Sequence, residues 1–126
     1  MDAEDLKKRT KTFALRILKL VAALPDTVQG RTVSGQLVRA GTSVGANYRA
    51  VCRARSNAEF VAKIGTVLEE ADESAFWLEL IIEGELLPAL KVQPLLDEAD
   101  ELVRIMASSR ITASSRAWKS KRKGQG

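Results

Sequence analysis

Apolar positions recur every three or four residues along most of the chain, and that spacing predicts helices throughout. In the first segment Leu6, Phe13, Ile17, Leu20 and Leu24 share one helical face. Pro25 closes it, because the residue before a proline avoids the helical region, so the expected helix covers about residues 5–24. Residues 25–30 read as a turn. A second helix is expected over about residues 32–53, with Thr32 as N-cap and Val33, Leu37, Ala40, Val44 and Val51 facing the core. Ser56-Asn57-Ala58-Glu59 reads as a capping box. It opens a long helix with the stripe Phe60, Ile64, Val67, Leu68, Ala71, Ala75, Leu78 and Ile82. Gly84 suits the stop and Pro88 bars continuation. Pro94 fits the first turn of a fourth helix, followed by acids favoured by the helix dipole and by Leu95, Leu96, Ala99, Leu102, Val103 and Met106. No strand pattern survives. The expected fold class is all-α, an antiparallel up-down four-helix bundle over residues 1–109, then a basic, flexible tail over residues 110–126.

Two local patterns add packing expectations. Gly41 and Gly45 stand four residues apart inside the second helix, where each costs up to about 1 kcal/mol against Ala. With Ala40, Ser43 and Ala46 they form a face of small side chains that allows another helix to approach closely. Phe76, Trp77, Leu80 and Ile81 fall partly off the main stripe of the third helix, so that helix is expected to be buried on more than one side. The chain has little length to spare for covering the second side. Another subunit is the economical cover, so self-association is expected.

Charge changes the picture more than composition does. The chain has 126 residues, enough for one domain, with 20 basic and 16 acidic side chains. Residues 110–126 hold six basic residues and no acid, which leaves the rest at fourteen against sixteen. Residues 27–58 are acid-free and carry Arg31, Arg39, Arg49, Arg53 and Arg55, whereas residues 59–85 hold eight acids and Lys63. Such blocks can meet a polyanion, or can pair with each other within or between subunits. Arg116-Ala117-Trp118-Lys119-Ser120-Lys121-Arg122-Lys123 reads as a nucleic-acid arm, as a solubilising tail, or as a segment whose Trp118 docks on a neighbouring subunit.

Catalytic candidates are few. There is no His, which removes the ordinary triads, the usual zinc sites and the Glu-x-x-His di-metal motif of bundles. Glu69 with Glu73 and Glu79 with Glu83 are therefore expected as a solvated or Arg-paired face, not as metal ligands. Cys52, the single cysteine, is expected as a small packed residue. No apolar run approaches the roughly 18 residues that span a bilayer. The acidic start, Met1-Asp2-Ala3-Glu4-Asp5, is no signal peptide, so a cytoplasmic, non-enzymatic binding protein without cofactor is expected.

One string carries a family resemblance. Gln36-Leu37-Val38-Arg39-Ala40-Gly41-Thr42-Ser43-Val44-Gly45-Ala46-Asn47 resembles the signature of the four-helix-bundle family of 23S rRNA intervening-sequence proteins, also called S23 proteins. Ser56-x-x-Glu59-Phe60-x-x-Lys63-Ile64 and Glu69-Glu70-Ala71-x-Glu73, leading to Trp77-Leu78, resemble it too. The resemblance implies a compact bundle that assembles as a homopentamer, related to the accessory protein of diversity-generating retroelements. Arg39 and Asn47 occupy motif positions; Arg39 is expected to pair with Glu70 or Glu73, and Asn47, if buried, to fix helix register. Arg39, Gly41, Gly45, Asn47, Phe76, Trp77 and Leu80 are thus packing and oligomerisation candidates. Arg49, Arg53, Arg55, Lys119, Lys121, Arg122 and Lys123 are nucleic-acid candidates, with RNA the first partner expected. The competing reading is a protein–protein adaptor that docks an enzyme such as a reverse transcriptase.

Overall fold

The computed structural model describes the backbone of residues 1–125 and the side chains of residues 1–116. Its elements are α1 (Ala3–Val21), α2 (Val28–Val51), α3 (Asn57–Glu83) and α4 (Ala89–Gln125), with no strand among the described residues. Each helix packs on its neighbours in sequence, and α1 returns to α4 through a much sparser contact. This is the up-down ring expected of helices joined by short turns. The core runs through its centre: Phe13 and Ile17 of α1, Leu37 and Val44 of α2, Ile64, Leu78 and Ile81 of α3, and Leu102 and Met106 of α4 are fully buried. Each such side chain contributes roughly 1.5–3 kcal/mol by leaving water. Ile81, expected off the main stripe, is a core residue of the single chain. The two buried hydroxyls are satisfied within their own helices: Thr10 donates to the Leu6 carbonyl and Ser74 to that of Glu70, both at 2.8 Å.

The helix ends depart from the sequence expectation in instructive ways. Asp2 and Asp5 form a reciprocal capping box, so α1 starts at the acidic terminus itself. Thr27, not Thr32, caps α2 by accepting from the Gly30 N–H at 3.0 Å. Gly30 belongs to the helix and not to a turn, since a Cβ there would lie 1.9 Å from the Pro25 carbonyl oxygen. Ser56 caps α3 as expected, but the Glu59 carboxylate takes the Arg55 N–H instead of the Ser56 N–H. At the far end of α3 the left-handed residue is Glu85 (φ 55°), not Gly84. The Leu86 N–H reaches the Ile81 carbonyl and the Glu85 N–H that of Ile82, a Schellman stop built on a glutamate. Helix α4 begins at Ala89, so Pro94 lies inside it, on the exposed side where water can replace the lost backbone bond. Packing also continues past Ser109: Ala113 is buried, and the Asn57 side-chain amide donates to its carbonyl at 2.8 Å. The bundle therefore reaches beyond residue 109, because α3 starts low enough to hold another turn of α4.

The small face of α2 receives α1. A Cβ at Gly41 would sit 2.7 Å from the Ile17 side chain, and one at Gly45 3.2 Å from the Thr10 carbonyl oxygen. Nothing lies within 4 Å of a Cβ at Gly35. Gly35→Ala is therefore expected to stabilise the protein by about 0.5–1 kcal/mol by improving helix propensity. Gly41→Ala is expected to cost about 1–3 kcal/mol, because the stiff, branched Ile17 must move. Thermal unfolding of the pair checks this, and equal responses would contradict the contact. The phenol of Tyr48, the one tyrosine, is pushed up from 10 to about 12, first by burial, then by the adjacent Cys52. Its stabilising contribution is full below pH 10 and is lost as the pH climbs towards 12. A spectrophotometric titration is expected to place the native midpoint near 12 and the urea-unfolded one near 10; a native value of 10 would put the ring in water.

Candidate nucleic-acid interface

Alternating helix direction brings distant segments of the chain to one pole. The start of α1, the end of α2, the start of α3 and the second half of α4 lie there. Three contacts fix the arrangement: Thr10 against Gly45, Asn57 against Ala113, and the Arg110 guanidinium over Gly65, where a Cβ would lie 3.4 Å from its carbon. The same geometry gathers three basic segments. Lys7, Lys8 and Lys11 come from α1; Arg49, Arg53 and Arg55 from the end of α2 and its turn; Arg110 and Arg116 from α4. Acids stand among these cations: Asp2 and Asp5 cap α1, Glu4 and Glu59 lie in the first turns of α1 and α3, and Glu98 and Glu101 of α4 lie beside Arg9. The other pole carries Asp26, Glu79, Glu83 and Glu85.

Pairing separates the structural cations from the available ones. Arg9 binds Glu98 with two bonds of 2.8 and 2.7 Å, joining α1 to α4 where their contact is sparse. That bond raises the Arg9 pKa further above its ordinary value. Lys7 pairs with Glu4 at 3.2 Å, and Lys63 with Glu59 at 3.0 Å. The Lys63 ammonium, helped by the Arg55 N–H, holds the Glu59 carboxyl below the usual range. Lys8, Lys11, Arg49, Arg53, Arg55, Arg110 and Arg116 have no acidic partner within 4 Å among the described residues, and neither do Arg16, Lys19 and Lys91 away from this pole.

The remaining candidates divide between interior and surface. Arg39 pairs with both Glu70 (3.2 Å) and Glu73, and Glu73 also accepts from the Trp77 indole at 3.4 Å. This network ties α2 to α3, as expected for Arg39. Asn47 is only half-buried and donates to the Ser43 carbonyl of its own helix at 2.9 Å, so its bond sets no register between helices. Phe76 is 50% exposed and Leu80 37%, while Trp77 is half-buried edge-on to Phe76, with ring centres 5.1 Å apart. Cys52 is exposed at the end of α2, not packed. Lys119, Lys121, Arg122 and Lys123, with Trp118, lie outside the residues whose side chains are described.

The sequence reading missed Lys7, Lys8 and Lys11. Their signal was present as a dense basic cluster with Arg9, hidden by the acidic residues just before it. Lys7, Lys11 and Ala14 line one wall of a groove, and Thr42, Gly45, Ala46 and Arg49 line the other. Among the described residues no three Cys, Asp or Glu side chains group to hold a metal, and no helix is long and apolar enough to cross a membrane.

Comparison with known proteins agrees with this architecture. The chain is similar to the crystal structure of a protein of unknown function from the S23 ribosomal protein family of Bacteroides thetaiotaomicron VPI-5482, at 31% identity and a TM-score of 0.74. That match covers 83% of this chain and 97% of the other. No curated protein matches. The family model of the 23S rRNA-intervening sequence protein matches residues 4–108, a span that takes in α1, α2, α3 and the packed first half of α4. With the signature string on the α2 face that receives α1, and the match running through all four helices, the chain belongs to the 23S rRNA-intervening sequence protein family.

Proposed function

We propose that the protein is a non-catalytic, self-associating bundle that binds nucleic acid, RNA first, through the phosphate backbone at its basic pole. The observation that carries this reading is the placement towards that pole of Lys8, Lys11, Arg49, Arg53, Arg55, Arg110 and Arg116, none with an acidic partner among the described residues. Lysine and arginine so placed neutralise phosphates and release counterions, which makes binding strong at low salt and steeply salt-dependent. Of the aromatic rings in the described part of the pole, Tyr48 is buried and Phe60 half-buried, so contact with the backbone and not base readout is the expected mode. The family's name, taken from intervening sequences of 23S rRNA, makes RNA the polyanion to try first.

Self-association draws support from α3. Phe76 and Leu80 stand one turn apart on its outer face, both exposed in the single chain. Covering them with a second copy would repeat the basic pole around the assembly, and avidity would then exceed the affinity of one pole. The same apolar pair also favours the second reading, an adaptor that docks another protein such as a reverse transcriptase.

Fluorescence anisotropy with labelled RNA across a salt series tests both. Arg53→Glu with Arg55→Glu is expected to weaken binding at least about tenfold and to flatten the log–log salt slope by about 1–2. A chain ending at Arg116 keeps the Asn57–Ala113 contact and isolates the contribution of Lys119 to Lys123. Phe76→Asp with Leu80→Asp is expected to lower the mass seen by light scattering to 13.8 kDa. Wild-type protein that ignores RNA and DNA at low salt would refute the nucleic-acid reading and leave the adaptor in front. Wild-type protein already at the single-chain mass would refute self-association.

A further inference from the structure

The α1–α2 groove differs from the other clefts near this pole in its charge, since three unpaired cations line it. It is an open cleft of about 400 Å³, within the range of sites that hold small ligands. Its floor carries nothing longer than Thr42: Ala14 from one helix, Gly45 and Ala46 from the other. The floor is flat because Gly45 lets the α1 backbone at Thr10 approach, so no side chain can rise between the helices there. Its rims carry Lys8 and Lys11 on α1 and Arg49 on α2, none with an acidic partner among the described residues. An uncharged, shallow floor between cationic rims fits a ligand with a flat apolar body and an anionic edge.

Resting on the reading above, we infer that this groove seats one nucleotide of a single strand. The phosphates lie on Lys8, Lys11 and Arg49, and the base lies on Ala14, Thr42 and Ala46. The Arg49 guanidinium is planar and can stack on the base as well as bind phosphate. A duplex keeps its bases paired inside and can offer this groove only phosphates. The groove thus adds a preference for single strands to a pole that otherwise attracts any polyanion.

The test compares a labelled single-stranded RNA with a blunt RNA duplex of equal length on the full chain. Ala46→Phe fills the floor from an exposed helix position without changing charge. It is expected to weaken single-strand binding about tenfold or more, the worth of a lost base contact, and to leave duplex binding within about twofold. Lys11→Ala, at an exposed position that no core residue depends on, is expected to weaken the single strand more than the duplex. Circular dichroism checks that both variants keep their helices. Unchanged single-strand binding in both variants, or an equal loss for strand and duplex, would overturn the groove and leave the basic pole standing. Failure of the wild type to bind either probe would overturn the nucleic-acid reading itself.

Discussion

The close approach of α1 to α2 across Gly41 and Gly45 is the contact on which the rest depends. Without a Cβ at those positions, Ile17 and the Thr10 backbone sit directly against α2. Two mid-helix glycines are an expense in helix propensity, and the packing they permit offsets it. Thr10 tolerates this crowded site because its hydroxyl is satisfied by Leu6, within its own turn. The approach also fixes how far α1 slides along α2. That places Lys7, Lys8 and Lys11 beside Arg49 in one groove, on which the proposed function rests.

Charge is then sorted by position along the bundle. Two cations have partners on another helix, while Lys7, Arg31, Lys63 and Arg104 pair locally. Arg9 with Glu98 closes the sparse α1–α4 seam, and Arg39 with Glu70 and Glu73 staples α2 to α3. Exposed pairs of this sort each contribute about 0–1 kcal/mol, so their value is alignment more than stability. The Arg9 pair is better shielded and carries two bonds, which makes it the stronger tie. Of the cations without acidic partners among the described residues, Arg16, Lys19 and Lys91 lie elsewhere, but Lys8, Lys11, Arg49, Arg53, Arg55, Arg110 and Arg116 lie towards one pole, where a polyanion would relieve their self-repulsion.

Much of this was legible in the residues. Helical period placed all four elements, and the small face of α2 announced a close neighbour without saying which. The family pattern put Arg39 with Glu70 or Glu73, and it pairs with both. The failures have local physical causes. Gly30 looked like a turn residue, but its lack of a Cβ serves close approach to Pro25. Gly84 looked like the left-handed stop, but Glu85 holds that conformation. Pro94 looked like a helix start, but an exposed proline can sit within a helix. Cys52 looked like filler, yet it lies at a helix end in solvent. The lysines of α1 escaped because a site assembled from several helices has no contiguous motif. Only the antiparallel ring reveals that residues 7–11 lie beside Arg49 in one groove and that the start of α3 meets residue 113 of α4.

Hydrogen–deuterium exchange on the full chain, alone and saturated with single-stranded RNA, tests most directly whether this packing builds the binding surface. The account predicts slowed exchange in two segments together, about residues 5–14 of α1 and 45–56 of α2 and its turn, with the opposite pole unchanged. Slowing confined to the opposite pole, around residues 22–31 and 79–91, or no change with RNA bound, would contradict it.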